Sequence, residues 1–201
     1  MATLLVLLKH PSMGRVKTRL GAGIGIEQAT HMYREWIGIV LEQLQPLRGN
    51  VRIVAFFDGA PLGDFTAWKE LADVWWPQPS GDLGQRLAAG FERAQRAGGP
   101  VAAIGTDCLE IDAAVIADAF SRMPAYDVVF GPSCDGGYYL VGTAKHLPGF
   151  FDAIPWSTSR TLSAHRSVCQ EAGWTVSTLP SRRDIDTLED WLAHCGKDAP
   201  R

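Results

Sequence analysis

Unbroken runs of apolar residues alternate along the chain with segments in which apolar residues recur every three or four positions. The short runs are typical of β-strands buried on both faces, and the recurring positions are typical of amphipathic helices. The runs predict strands at 4–8, 51–57, 101–104, 128–130, 138–141 and 176–179. The periodic segments predict helices at 29–44, 65–75, 83–96, from about 112, at 161–172 and after 186, with a Gly-rich loop before residue 29.

Strands that alternate with helices in this way predict an α/β fold, in which helices cover both faces of a mostly parallel sheet. The composition, 46% hydrophobic and 20% charged over 201 residues, is typical of a globular protein. A chain of this length buries about 70% of its unfolded surface, which is enough for one core. Because no linker or charge block divides the chain, we expect one domain over 1–195 and a C-terminal tail at 196–201.

Charge and cysteine content narrow the classes of function. The net charge of −3 argues against sequence-independent binding to nucleic acid, which requires a basic face. Four cysteines without C-x-x-C or Cys/His spacing argue against a zinc site and a disulfide framework. The apolar run at 4–8 is too short for a signal peptide, and no run reaches the ~18 residues of a membrane span. We therefore expect a cytoplasmic protein that binds neither nucleic acid nor membrane.

Turns rich in Gly and Asp follow three of the predicted strands, at 105–107, 131–137 and 184–186. Ligands of an open α/β sheet bind outside the carboxyl ends of its strands, so these turns should converge on one site. An Asp after a strand often caps a helix, but Asp112 is better placed to cap the next one, which leaves Asp107 free. Paired with Asp186, Asp107 predicts a site for Mg²⁺ or Mn²⁺, because one or two carboxylates plus substrate phosphates can hold such a cation.

The segment after the first predicted strand carries four cations within eleven residues: Lys9, Arg15, Lys17 and Arg19. Its Lys17-Thr18 pair matches the end of a P-loop, but Pro11 and Val16 stand where that motif requires glycine. Basic side chains at a strand end can bind a di- or triphosphate. A solvated basic loop is the alternative, and the position at the strand end favours phosphate contact.

Two other segments have both a structural and a functional interpretation. Asp135-Gly136-Gly137 is by default a hairpin turn, although glycines also let a backbone approach a sugar or nucleotide closely. Asp135 is a candidate base for an acceptor hydroxyl, and the alternative is an aspartate that stabilises the turn. Gln78 and the segment 80–86 are either a helix cap with its loop or a source of polar groups for a nucleobase.

Five motifs in order through the chain resemble the DUF2064 group of GT-A-fold glycosyltransferase-like proteins. They are Lys9-x-Pro11-x-x-Gly14-x-Val16-Lys17-Thr18-Arg19-Leu20, Gly81-Asp82-Leu83-Gly84, Ile104-Gly105-Thr106-Asp107-Cys108, Gly131-Pro132-x-x-Asp135-Gly136-Gly137-Tyr138-Tyr139-Leu140 and Asp184-Ile185-Asp186-Thr187-x-x-Asp190. The chain is also similar, more distantly, to phospholactate guanylyltransferases. Leu109 departs from the pattern, because family members usually have Pro at this position.

The resemblance implies a nucleotide-diphospho-sugar transferase fold, with three α/β/α layers. By position, Asp107 would hold the metal with Asp186 second, Lys17 would face the phosphates, and Asp107, Lys17 and Asp135 are the candidate catalytic residues. The residues expected to contact the ligand are Lys9, Arg15, Lys17, Arg19, Gln78, Gly81, Asp82, Gly105, Thr106, Gly136 and Gly137, with Gln78, Gly81 and Asp82 near the base or ribose.

The function expected from these features is metal-dependent transfer of a glycosyl group from a nucleotide-diphosphate sugar to a small-molecule acceptor. The alternative is a nucleotidyltransferase that joins an NTP to a phosphorylated or acidic small molecule and releases pyrophosphate. The same cations and metal would serve both reactions. A third hypothesis, a nucleotide-binding protein without turnover, rests on the unassigned base and on Leu109.

Overall fold

The computed structural model describes residues 1–197, and within them seven strands form one sheet. The strands are β1 Ala2–Lys9, β2 Val51–Asp58, β3 Val74–Pro77, β4 Val101–Ile104, β5 Val128–Pro132, β6 Tyr138–Thr143 and β7 Val176–Thr178. The α-helices are α1 Thr18–Ile24, α2 Ile26–Gln43, α3 Leu83–Gln95, α4 Ala113–Arg122, α5 Thr161–Glu171 and α6 Leu188–Lys197, and 3₁₀ segments cover Gln45–Leu47 and Leu62–Leu71.

The strand order is β3-β2-β1-β4-β6-β5-β7, and β6 alone of these seven runs antiparallel to its neighbours. The other six strands therefore end at the same edge of the sheet. The prediction of a mostly parallel α/β sheet is confirmed. The turns after β1, β4, β5 and β7, which carry most of the predicted site residues, follow these carboxyl ends.

Helices pack on both faces of the sheet and give the three layers. Alternate residues of β1 point to opposite faces, so Leu4 and Val6 join one core cluster while Leu5 joins the other. The first cluster contains the buried face of α2, including Trp36. The second contains residues of α3 such as Phe91. Burial on both faces explains why β1 is a continuous apolar run rather than an alternating one.

The helix predicted at 65–75 is wrong, because this stretch holds a 3₁₀ segment followed by strand β3. The backbone at Ala72 is extended, with φ −127° and ψ 151°, which ends the 3₁₀ turns. Trp75 and Trp76 then pair in parallel with Ala55 and Phe56 of β2. The spacing of the apolar residues predicted one helix because the buried residues of the 3₁₀ segment and of β3 lie three or four positions apart in the sequence.

The Gly-rich loop expected before residue 29 is also wrong in part, since helix α1 occupies Thr18–Ile24. Its glycines allow close packing between helices. A Cβ added to Gly23 would lie 2.9 Å from Leu188 Cβ of α6, and one on Gly21 would lie 3.2 Å from Ile26 Cα of α2. Glycine lowers helix propensity, but here it permits backbone contact.

At the carboxyl end of the chain, α6 extends to Lys197, so residues 196 and 197 of the predicted tail belong to this helix. Residues 198–201 lie outside the described part of the chain. Among the described helices, none has the length and apolar character needed to cross a membrane.

Candidate functional site

A cavity of about 700 Å³ opens at the edge of the sheet where the parallel strands end. Its wall includes Lys9 at the end of β1, Gln78 after β3, Asp107 after β4, and Asp184 and Asp186 after β7. Cavities of this size commonly bind small molecules, and the carboxyl-end position is typical of ligand sites in open α/β sheets.

The ammonium group of Lys17 lies between two carboxylates in this cavity. Its Nζ is 2.6 Å from Asp107 Oδ1 and 2.9 Å from Asp186 Oδ1, and it donates to the carbonyl oxygen of Ile185 at 2.7 Å. Only 4% of the Lys17 side chain is exposed. Burial by itself lowers the pKa of Lys17, but the charges of Asp107 and Asp186 outweigh it and the pKa is raised. Lys17 is therefore charged.

The backbone and its neighbours hold Lys17 in this position. Lys17 precedes helix α1 with φ 48° and ψ 40°, a left-handed conformation that costs free energy in a residue other than glycine. Its Nζ lies 5.9 Å from the centroid of the Tyr33 ring and 5.4 Å from that of Trp36. The Ile185 amide donates to the carbonyl oxygen of Asp107 at 2.8 Å, which joins the two turns that carry the carboxylates.

Arg19 and Asp184 adjoin this cluster. Arg19 Nη2 contacts Asp186 Oδ2 at 2.6 Å. Asp184 is largely enclosed, and its pKa is raised to about 7 by burial and by the charges of Asp107, Asp135 and Asp186. The sequence analysis did not select Asp184, although it stands in the same Asp-x-Asp motif as Asp186. A third carboxyl group thus lies near the ammonium group of Lys17.

Tyr33 of α2 links the ends of β1 and β4 beneath the cavity. Its hydroxyl accepts from the Lys9 amide at 3.2 Å and from Thr106 Oγ1 at 3.1 Å. Burial raises the pKa of Tyr33 to about 12, so its hydroxyl stays protonated. Sequence reasoning placed Tyr33 only in the core stripe of its helix. Thr106 lines the cavity, but its hydroxyl is committed to this link.

The wall formed by β3 and the start of α3 carries a second polar network. Asp82 caps α3 by accepting from the Gln85 amide at 2.9 Å, and Gln85 Oε1 accepts in return from the Asp82 amide. Gln78 Nε2 donates to the Phe56 carbonyl at 2.7 Å. Arg86, the last residue of the segment 80–86, pairs with Asp58 at 2.8 Å and lines the cavity.

Residues 41–158 match the sequence profile of DUF2064, described as uncharacterized proteins conserved in bacteria. The chain belongs to the DUF2064 family. A search of curated proteins found no match. Among solved structures, a protein of Desulfovibrio desulfuricans G20, provisionally named a nucleotide-diphospho-sugar transferase, is 30% identical, with TM-score 0.87 over 98% of this chain and 88% of its own.

More distant structures share the fold of this DUF2064 protein. A nucleotidyl transferase from Methanothermobacter has TM-score 0.64 at 14% identity, over 98% of this chain and 97% of its own. The manganese complex of Rv0371c from Mycobacterium tuberculosis H37Rv has TM-score 0.54 at 16% identity, over 96% of both chains. The fold is thus that of nucleotide-diphospho-sugar transferases and nucleotidyltransferases, as the sequence predicted.

Most of the residues predicted for the site in this DUF2064 protein lie on the cavity wall: Lys9, Arg15, Lys17, Arg19, Gln78, Gly81, Asp82, Gly105, Thr106, Asp107 and Asp186. The turn at Asp135, Gly136 and Gly137 is not on that wall. One Asp135 oxygen accepts from the Ser133 hydroxyl and from the Gly137 amide, which are contacts that stabilise the hairpin between β5 and β6. Gly136 packs against the backbone of Ser159, where a Cβ would lie 2.1 Å from the carbonyl oxygen.

Proposed function

We propose that this DUF2064 protein is a metal-dependent transferase that moves a glycosyl group from a nucleotide-diphosphate sugar to a small-molecule acceptor. The observation that carries the proposal is the convergence of Asp107 and Asp186 on one cation-sized position in the cavity, which Lys17 Nζ fills at 2.6 and 2.9 Å. The position lies beside the basic segment after β1, as a diphosphate site requires.

The residues at this position fit a divalent cation such as Mg²⁺ or Mn²⁺. Both carboxylates supply hard oxygen ligands, and the ammonium group between them marks where their negative potential converges. The manganese found in Rv0371c supports the choice of metal. When bound, the metal would neutralise charge that develops on the leaving diphosphate.

The protein's own cations would bind the diphosphate. Lys9 and Arg15 are exposed on the cavity wall, and Arg19 is 70% exposed, so all three are accessible to a ligand. Guanidinium groups can contact two phosphate oxygens at once, which fixes orientation as well as charge. If Asp107 and Asp186 hold a metal, the ammonium group of Lys17 would be a fourth positive charge available to the leaving diphosphate.

Asp135 remains our candidate base for the acceptor hydroxyl. Asp135→Asn should keep the turn, because the amide oxygen can still accept from the Gly137 amide at the present 3.0 Å. It should remove the proton acceptor and lower kcat by about 10²-fold or more. A variant with unchanged kcat assigns Asp135 to the turn alone.

Binding of the donor is tested by thermal shift with nucleotide-diphosphate sugars, with and without Mn²⁺. A ligand at about 100 times its Kd should stabilise the protein by roughly 2.7 kcal/mol. Asp107→Asn should abolish the metal-dependent part of this shift, whereas Asp64→Asn, an exposed aspartate away from the cavity, should leave it intact. An equal shift in Asp107→Asn would reject the metal site.

A second candidate is nucleotidyl transfer, and the number of cations on the β1 segment favours it. Lys9, Arg15 and Arg19 together suit the charge of a triphosphate. Product analysis separates the two reactions. Release of nucleoside diphosphate from a sugar nucleotide supports glycosyl transfer, and release of pyrophosphate from an NTP supports nucleotidyl transfer. Metal-dependent binding with neither product across a broad acceptor panel supports a binding protein.

A further inference from the structure

Arg86 lies on the cavity wall at a distance from the carboxylate cluster. It pairs with Asp58, the last residue of β2, whereas Asp107 follows β4. Strand β1 separates β2 from β4 in the sheet. Because neighbouring strands lie about 4.8 Å apart, the ends of β2 and β4 stand roughly 10 Å from each other. A ligand with phosphates at Lys17 and Asp107 would place a different part of its structure at Arg86.

Three acceptors fix the guanidinium group of Arg86. Its Nε donates to the Gly81 carbonyl at 2.9 Å, and its Nη1 donates to Asp58 Oδ2 at 2.8 Å and to Gln78 Oε1 at 3.3 Å. About a quarter of the side chain, 24%, is exposed. The remaining nitrogen, Nη2, makes no hydrogen bond to any residue within 1–197. Arg86 is thus an oriented donor that lines the cavity, and its Nη2 has no partner within 1–197.

The charge environment separates Arg86 from the phosphate-binding cations. Arg86 is already neutralised by Asp58 at 2.8 Å. Lys9 and Arg15, by contrast, have no carboxylate within 4.0 Å among residues 1–197. A phosphate would therefore gain more from Lys9 and Arg15, while Arg86 suits an uncharged acceptor. The position favours a nucleobase over a phosphate.

The neighbouring polar groups on this wall are engaged with the protein. Gln78 uses its amide nitrogen on the Phe56 carbonyl and its oxygen on Arg86. Asp82 uses one carboxylate oxygen to cap helix α3. On this wall Nη2 of Arg86 is a cationic donor held in a fixed orientation, which suits it to distinguish one base from another.

We propose that Arg86 is a specificity-determining residue that donates from Nη2 to a carbonyl oxygen of the nucleobase. The inference rests on the proposed function, because it takes a nucleotide as the ligand. Guanine, uracil and cytosine each carry a ring carbonyl, and arginine recognises guanine through its O6 and N7. Adenine has no carbonyl, and where guanine carries O6 it presents an amino donor, which would oppose the guanidinium group. The site therefore selects a carbonyl-bearing base and disfavours adenine.

The test measures Kd for GDP, UDP, CDP and ADP in the presence of Mn²⁺ by titration calorimetry. In the unmodified protein, the best carbonyl-bearing nucleotide should bind roughly 5- to 140-fold more tightly than ADP. Arg86→Lys keeps the charge opposite Asp58 but loses the planar fork, so this ratio should fall to about threefold or less while the Kd of ADP hardly changes. Arg86→Gln should have the same effect on the ratio.

Arg15→Met is the matched control, because it removes a cation from the same cavity. It should weaken all four nucleotides by a similar factor and leave the ratio intact. Equal binding of the four nucleotides to the unmodified protein would overturn the assignment of Arg86 while the proposed function stands. An equal loss for ADP and the others in Arg86→Lys would do the same. Absence of binding by every nucleotide would overturn both proposals.

Discussion

Replacement of Lys17 by Met should increase the affinity of the ligand-free protein for Mn²⁺. In the structure, the ammonium group of Lys17 occupies the position between Asp107 and Asp186 that we assign to the metal. A divalent cation must therefore displace it, and the free energy of that ion pair opposes metal binding. In Lys17→Met the carboxylates keep their positions near each other but lack the competing cation. The aliphatic Met side chain preserves the packing on Tyr33 and Trp36.

The size of the effect follows from the exposure of the partners. Lys17 is 4% exposed, but Asp107 and Asp186 are 44% and 29% exposed, so water partly solvates the carboxylates. The cost of breaking the pair should then lie below the 3–5 kcal/mol of a fully buried one, at about 2 kcal/mol. At about 1.4 kcal/mol per tenfold, Mn²⁺ should bind the variant roughly 30-fold more tightly than the unmodified protein. Without metal, the variant should melt about 4–8 °C lower.

Calorimetric titration of Mn²⁺ into nucleotide-free protein measures this change, and thermal melts with and without Mn²⁺ give an independent value. Arg19→Met is the matched control, because Arg19 contacts Oδ2 of Asp186, not the Oδ1 that contacts Lys17, and is 70% exposed. It removes the same charge from the cavity but should change the Kd of Mn²⁺ by less than about threefold. If Lys17→Met and the unmodified protein bind Mn²⁺ with the same Kd, the ammonium group and the metal do not share a position.

Two further predictions concern stability. Burial lowers the pKa of His165 from 6.5 to about 4, so only the unfolded chain gains its proton between these values. The free energy of unfolding should fall by about 3 kcal/mol as pH drops through this window, and urea titrations of His165→Gln should show a flatter dependence. Gly136→Ala should lower the free energy of unfolding by at least about 2 kcal/mol, measured by urea unfolding, because the backbone has φ +89° and the Ser159 carbonyl blocks a Cβ. Gly173→Ala is the control: its backbone has φ +70°, but a Cβ would meet open space, so this variant should lose less stability.

The sequence predicted the strands that are buried on both faces, because an unbroken apolar run of this length is too short for a typical buried helix. It did not predict β3 or α1, because the periodicity over β3 indicated a helix and the glycine content of α1 indicated a loop. In β3, Trp75 and Trp76 point to opposite faces of a strand at the edge of the sheet. Trp75 also continues the three- and four-residue spacing of the apolar residues in the preceding 3₁₀ segment, which made the whole stretch look helical. In α1, glycine is present because two other helices approach closely, which only tertiary structure reveals.

The convergence of Asp107 and Asp186 was predictable, since both follow parallel strands and such turns share one edge of the sheet. The segment 80–86 was predicted as a possible source of polar groups for a nucleobase, but Arg86 could not be singled out within it. Its contact with Asp58, which lies 28 positions away along the chain, is visible only in the structure. The glycines at 136 and 137 were predicted to allow close approach to a ligand. In the structure the backbone of Ser159 approaches Gly136 closely. The missing side chain of Gly136 therefore makes room for another part of the protein.

The two sides of the cavity differ in their ion pairs, and this difference would orient a nucleotide under the proposed function. Within residues 1–197, Lys9 and Arg15 have no carboxylate partner, whereas Arg86 on the β3–α3 wall is paired with Asp58. We therefore expect the diphosphate on the first side and the base on the second. The part of the wall left for the acceptor contains Tyr138 and Ser157. The Tyr138 hydroxyl lies 3.3 Å from Nδ1 of the buried His165, and this contact fixes the orientation of the tyrosine ring that the acceptor would meet.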